Sequence, residues 1–243
     1  MPGVLAQPGS FAHACGTFGR AVGTIAFFDF DGTLLQRDSG VICAVPVMRK
    51  GLLTPGLFAE LVGTWLLSKA GLRTRADAMR VGFRCYAGRS LEELRGIMDE
   101  MHDKHLRAAF SAPMLERVRA HRAAGDKLII LTASAAFFAE PTARELGFDD
   151  ITGTEVSYAG GRCTGLVAGE ILDGKAKLAA ARRAAEAAGV ELAECTFYSD
   201  HVADLPLLEA VGTPVAVGSS RALAKVARAR GWSVVPHRGR VAP

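Results

Sequence analysis

The sequence predicts an α/β fold: a buried parallel sheet flanked by helices, with a helical cap inserted after the first strand. Three observations carry this. Ile25 to Phe30 is an apolar run interrupted only by Asp29, the pattern of a strand buried on both faces of a parallel sheet. From Lys127 onward, short apolar runs alternate with helical stretches, as βαβ units require. Between the two, Gln36 to about Asp126 contains almost nothing that reads as a strand.

The first strand runs into Asp29-Phe30-Asp31-Gly32-Thr33-Leu34-Leu35. Asp29 therefore falls at a strand end, where open α/β sheets place their ligands. A carboxylate in so apolar a run is costly unless a metal or hydrogen bonds compensate it. A turn-forming Asp-Gly with a helix cap behind it would account for Asp31-Gly32-Thr33 but not for Asp29. That residue points to function.

In the insertion, Val41 to Met48 is apolar but interrupted by Pro46, and Leu57 to Leu67 fits a short buried helix. Across Thr74 to Tyr86, Met79, Phe83 and Tyr86 recur at helical spacing and leave the arginines on the other face. Ser90-Leu91-Glu92-Glu93 is a capping box ahead of the apolar stripe Leu91, Leu94, Ile97, Met98 and Met101. His102 and His105 could meet a metal on one helical face, but among Asp99, Glu100, Asp103 and Lys104 they read as a solvated face. Pro113 opens a helix that Gly125 ends.

Lys127 to Leu131 is a second buried strand, running into Thr132-Ala133-Ser134, and a helix follows to Leu146. Ile151 to Val156 and Arg162 to Val167, separated by Tyr158-Ala159-Gly160-Gly161, predict a β-hairpin. Lys175 to Ala188 is an alanine-rich helix closed by Gly189. Cys195 to Tyr198 is a third short strand, followed by Ser199-Asp200-His201-Val202-Ala203-Asp204 and a helix over Leu205 to Val211. A strand over Val215 to Val217, a surface helix over Arg221 to Arg230 and an edge strand over Trp232 to Val235 complete the chain. The domain reading is a flexible tail over 1–23, a core over 24–36 and 112–243, and a helical cap over 37–111.

Bulk properties exclude several classes. Among 243 residues, 49% are hydrophobic and 22% charged, values of an ordinary globular protein. The net charge of +4 is scattered, with no basic stripe interleaved with aromatics, so no nucleic-acid partner is expected. Five widely spaced cysteines form neither a zinc pattern nor a disulfide framework and read as reduced thiols in a cytoplasmic protein. Cys163 and Cys195 read as packed side chains. The most apolar candidate for a spanning helix, Leu52 to Leu72, is broken by Pro55, Gly56, Glu60, Gly63 and Lys69. It reads as a buried helix in preference to an interfacial one, and no stable membrane insertion is expected. The start of the chain lacks the pattern of a secretory signal, and Gly16 to Gly23 lacks the dinucleotide fingerprint.

A parallel sheet would gather Asp29 and Asp31, Thr132, and Asp200 and Asp204 at one edge, with a lysine from the start of the Lys175–Lys177 helix. Several acids and one lysine suit a hard divalent cation together with a phosphate, since magnesium is held by one or two carboxylates, waters and phosphate oxygens.

The motifs Asp29-Phe30-Asp31-Gly32-Thr33-Leu34, Leu131-Thr132, a lysine, and Ser199-Asp200 with Asp204 occur in one order across residues 25 to 217. In this the chain resembles the haloacid dehalogenase-like phosphohydrolase superfamily, and the length and place of the insertion resemble the subgroup that contains phosphoserine phosphatase. The resemblance implies a Rossmann-like core and a magnesium-dependent phosphoric monoester hydrolase acting on a small phosphorylated metabolite through an aspartyl-phosphate. It implies Asp29 as nucleophile, Asp31 as general acid and base, and Thr132 and Lys177 as their catalytic partners, with Lys175 the other lysine open to that role. Gly32, Thr33, Ser134 and Asp38 would contact substrate, and Asp29, Asp31 (through its carbonyl), Asp200 and Asp204 would surround Mg2+. Arg37, Arg49 and Lys50 are candidates for a substrate anion or for plain solvated surface, and His201 could tune the site or face solvent.

The second motif reads Thr132-Ala133-Ser134-Ala135 where phosphoserine phosphatases carry a serine, two glycines and an aromatic, and Asp38 stands where they carry glutamate. The substrate therefore stays open between a phosphoserine-like metabolite and others. Phospholipid-head-group phosphatase, phosphotransferase and non-catalytic metal-binding scaffold are the remaining readings.

Overall fold

The computed structural model of the chain describes residues 23–218 and 221–236. The expected tail, the glycine-containing Gly16 to Gly23 stretch up to residue 22, and Cys15 lie outside them. Six strands form one parallel sheet in the order β3-β2-β1-β6-β7-β8. These are β1 (Ile25–Phe28), β2 (Lys127–Ala135), β3 (Asp150–Thr154), β6 (Thr196–Ser199), β7 (Thr213–Val217) and β8 (Ser233–Val235). The first described strand, β1, lies at the centre; the sheet then builds outward through β2 and β3 and returns to β6 on the other side of β1. β1 thus lies at the point where the strand order reverses, and its carboxyl end faces the crevice such sheets use for ligands.

Alternate residues of β1 feed two cores. Ile25 and Phe27 pack with Ile129, Leu131, Phe197, Ala181, Leu207 and Ala227. These last three come from helices α7 (Lys175–Ala188), α8 (Leu205–Leu208) and α9 (Arg221–Ala229). Ala26 and Phe28 pack with Ile130, Tyr198, Met114, Val118 and Phe138. Met114 and Val118 lie on α5 (Ala112–Ala124), and Phe138 on α6 (Ala136–Leu146). The Phe28 ring stacks on Tyr198, with centroids 4.5 Å apart. Each fully buried Phe contributes about 1.5–3 kcal/mol.

The strand stops at Phe28, two residues before the predicted end. Asp29 N still donates to Tyr198 O at 2.9 Å, and Phe30 to Leu34 then form a wide turn in which Gly32 has φ +75°.

Four helices occupy the insertion: α1 (Ser39–Arg49), α2 (Pro55–Lys69), α3 (Arg75–Phe83) and α4 (Leu91–Met101). Three expectations change here. The Val41 to Met48 run is not broken at Pro46 but forms the helix α1, capped by Asp38 accepting from Val41 N. Proline removes one donor and strains the turn before it, and the flanking turns, with Cys43 and Val47 buried, carry it. Secondly, α2 is a helix but has no buried residue, so the reading of Leu52 to Leu72 as a buried helix is wrong. Its two core residues are Leu52 and Leu53, ahead of the helix. Thirdly, His102 is buried and lies 2.5 Å from Glu145 Oε2 and 3.1 Å from the Thr142 hydroxyl, tying α4 to α6. Its neighbours in sequence are charged, but its own face is the helix contact. The Ser90–Glu93 capping box forms as predicted.

The predicted hairpin is divided differently. Ile151 to Thr154 belongs to β3, the edge of the parallel sheet, and the hairpin is made by β4 (Val156–Ala159) with β5 (Arg162–Val167). The reason is Thr154, which is buried and donates to Ala133 O, fixing that segment to β2. The hairpin is bonded to the insertion: Cys163 N donates to Arg89 O at 2.8 Å, and Gly88 N to Cys163 O at 2.7 Å. Shorter differences are the extension of β2 to Ala135 and the ending of α8 at Leu208. Among the described residues the cysteines are free thiols, with Cys163 and Cys195 buried. No helix among them is long and apolar enough to cross a membrane.

Candidate active site

Asp29 follows directly on the central strand, and the residue is 6% exposed. Its Oδ1 accepts a hydrogen bond from Lys177 Nζ at 2.8 Å, and the same ammonium donates to Asp204 Oδ2 at 2.9 Å. Lys177 reaches this position because it lies one turn into α7, on the face buried by Ala180 and Ala181. Lys175 is exposed. Asp204 Oδ2 also accepts from the Ser199 hydroxyl at 2.6 Å, while its Oδ1 is buried with no partner.

Asp200, at the end of β6, lies against the turn after β1. A Cβ added at Gly32 would collide with the Asp200 carboxylate, Oδ2 first. Glycine at 32 therefore supplies both the positive φ and the room for the carboxylate. Asp31 is held on the insertion side: Oδ1 accepts from Ser39 N at 2.6 Å and Oδ2 from the Ser134 hydroxyl at 2.7 Å. The predicted site residues Asp29, Gly32, Lys177, Asp200 and Asp204 thus form one cluster. Asp31, Ser134 and the first turn of α1 form a second, joined to it through the Asp29–Gly32 turn.

Thr132 is buried, and its hydroxyl accepts from Ser134 N at 3.0 Å, within the last residues of β2, where the pairing with β3 shifts register. The Thr33 hydroxyl is buried without a partner. Asp38 is exposed at the start of α1, where its carboxylate accepts from Val41 N. Lys50 is held by Glu100 at 2.5 Å, and Arg37 and Arg49 are exposed.

Two residues were not singled out in the sequence: Ser39, whose amide binds Asp31, and Arg75. Arg75, at the first position of α3, pairs with Asp173 Oδ2 at 2.8 Å. Its charge also acts on Asp29, Asp204 and Asp38. It joins the insertion to the loop that leads into α7. Its signal in the sequence was only an arginine behind the Thr74 cap, one of several in that stretch.

Burial dominates the protonation of the cluster. It raises Asp29 to about 6, with Lys177 opposing and Asp204 reinforcing the rise. Burial and then repulsion from Asp38 raise Asp31 to about 7, against the bonds from Ser39 and Ser134. Asp200 is pushed to about 8 by burial and by Asp29 and Asp204. Burial alone would lower Lys177, but Asp204 and Asp29 outweigh it and hold the ammonium above its ordinary value. His201 is lowered by burial and then by Arg75.

Crowded carboxylates with unspent oxygens are a donor set for a divalent cation. The orphaned Asp204 Oδ1 and the packing of Asp200 on Gly32 fit such an ion. No three acidic, histidine or cysteine side chains among the described residues close a cage by themselves.

A family model described as haloacid dehalogenase-like hydrolase matches residues 26–209. The chain is 33% identical over 213 residues to the phosphoserine phosphatase SerB1 of Mycobacterium tuberculosis, covering 86% of this chain and 69% of that one. It is 27% identical over 216 residues to a histidinol-phosphatase of Neisseria meningitidis, with 87% and 97% covered. A solved structure from Bordetella pertussis, of unknown function, superposes with a TM-score of 0.79 at 32% identity, covering 88% and 99%. A substrate-bound phosphoserine phosphatase shares the fold, with a TM-score of 0.65 at 15% identity over 90% and 95% of the two chains. The chain belongs to the haloacid dehalogenase-like hydrolase family.

Proposed function

We propose that this hydrolase is a magnesium-dependent phosphatase that releases phosphate from a small-metabolite phosphomonoester through an aspartyl-phosphate on Asp29. The observation that carries the reading is the Lys177–Asp29 contact. One carboxylate oxygen is held by a buried ammonium, which leaves the other to attack. The phosphatase names of relatives such as SerB1 support the reaction class.

In the first half-reaction Asp29 Oδ2 attacks phosphorus and the bond to the leaving oxygen breaks as Asp31 gives that oxygen a proton. In the second, Asp31 takes a proton from water, whose oxygen attacks the phosphoryl group and returns Asp29 as carboxylate. A group held at about 7 can serve in both directions near neutral pH. The Ser39 and Ser134 bonds keep that carboxylate in one orientation. Asp29, Asp200, Asp204 and the Asp31 carbonyl would hold Mg2+, which when bound neutralises phosphate charge and keeps the acids ionised. The Gly32 amide and the Thr33 and Thr132 hydroxyls are donors for phosphate oxygens. Phosphoryl transfer asks mainly for positioning and charge neutralisation, and this set supplies both.

Residues 37–111 serve as the cap, with 24–36 and 112–243 as the core; the β4–β5 hairpin works with the cap to which it is bonded. Asp38 and Arg75 give the cap one carboxylate and one guanidinium, a pair suited to a substrate bearing an amine and a carboxylate, such as a phosphoserine-like one. A panel of phosphomonoesters assayed with purified protein and Mg2+ tests the reading. Phosphate release from amino-acid and amino-alcohol phosphates is expected, and no release from any member would sink it.

A further inference from the structure

We propose that helix α2 docks the protein on the surface of an anionic lipid bilayer. The helix carries apolar residues around its whole circumference, yet none is buried. Its inner side is accounted for, since Leu61 lies against Gly82 of α3 and Leu57 packs on the core. Its outer side is not. Phe58, Val62, Trp65 and Leu66 follow at spacings of four, three and one, so they share one face. Trp65 is 51% and Leu66 56% exposed, and Leu72 just beyond the helix reaches 71%. Single exposed apolar residues need no explanation, but a row of large ones marks an interaction surface.

Charge selects the occupant. Lys69 continues the row one turn on, with its ammonium 5.5 Å from the Trp65 ring centroid, and Arg73 follows, exposed. Glu60 is the sole acid from Thr54 to Thr74, and it is already held by Arg84 at 2.5 Å. A second copy of this chain would offer these cations the same apolar row and no spare carboxylate. A bilayer with anionic head groups offers both layers the face requires: acyl boundary for Phe58, Val62 and Leu66, and phosphate for Lys69 and Arg73. An indole with an ammonium above it is the arrangement that settles at head-group depth. The helix is about 22 Å long at 1.5 Å per residue, short of the roughly 30 Å hydrocarbon core, so it lies on the membrane and does not cross it.

Flotation of the full chain with vesicles tests this without reference to turnover. Vesicles of phosphatidylcholine alone are compared with vesicles containing about one third phosphatidylserine. The folded wild type is expected to float with the anionic vesicles and to be released by salt. Trp65→Ala with Leu66→Ser should reduce the bound fraction at least about tenfold, the loss of two buried apolar side chains. Lys69→Glu with Arg73→Glu should abolish the preference for anionic lipid, and thermal melts should show all variants folded. Absence of flotation by folded wild type would overturn the proposal, as would equal flotation of the variants. A dimer in light scattering that Trp65→Ala with Leu66→Ser dissolves would overturn it in favour of a second copy.

Discussion

Lys177 Nζ lies 2.8 Å from Asp29 Oδ1, and both side chains are shut away from water, although 148 positions separate them in the chain. An ammonium and a carboxylate buried together offset each other's desolvation only while both are present. Lys177→Met should therefore cost about 3–5 kcal/mol in urea unfolding, by leaving Asp29 and Asp204 facing each other without a cation. It should also reduce kcat, and a fully stable variant would show that the pair does not hold the site together.

Gly32 is the second point where structure and chemistry share a residue. Its φ of +75°, and the Asp200 carboxylate lying where a methyl group would have to go, leave no room for alanine. Gly32→Ala should cost about 1–2 kcal/mol from backbone strain alone and displace Asp200. The expected readout is a weakened Mg2+ requirement curve, with half-saturation shifted to higher metal concentration.

Stability should depend on pH and metal together. Asp29, Asp31 and Asp200 are raised in the fold to about 6, 7 and 8, from an ordinary 3.8. Folding therefore takes up protons between these values. The metal-free protein is most favoured at the acid end of that window, loses stability as pH rises from about 4 to about 8, and levels off above it. Magnesium stabilises the ionised carboxylates, so its effect on Tm should grow across the same range. Melting curves with Mg2+ and with a chelator check this; a chelator effect independent of pH would contradict it.

Arg75 links the helical insertion to Asp173 from an exposed position. Its ion pair contributes little to stability, about 0–1 kcal/mol. Arg75→Ala should leave Tm almost unchanged while raising KM for carboxylate-bearing substrates by about tenfold or more. Equal KM values for substrates with and without a carboxylate would remove it from substrate binding.

Much of this was legible in the sequence because local pattern and burial agree there. Ile25–Phe28, Leu128–Leu131 and Phe197–Tyr198 are apolar and buried on both faces, so their place in a parallel sheet needed no further information. Asp29, Asp200 and Asp204 could be anticipated because each stands at or just beyond a strand end, whereas position left Lys175 and Lys177 open and only the family resemblance favoured Lys177. What local pattern did not reveal depends on distant partners. His102 looks solvated beside its charged neighbours until α6 supplies Glu145 and Thr142. The apolar α2 looks buried until the fold is seen to cover only one of its sides. Arg75 joins the site only because α3 brings it to Asp173.

The most direct test of the central claim is to trap the phosphoryl group. Enzyme mixed with substrate and Mg2+ is quenched in acid and treated with borohydride, which reduces an acyl phosphate to the alcohol. Peptide mass spectrometry should then find homoserine at position 29 in the wild type and no such product in Asp29→Asn, which should also lose at least about 10^3-fold in kcat while remaining folded. Unchanged aspartate at 29 during active turnover, or full activity in Asp29→Asn, would contradict the account.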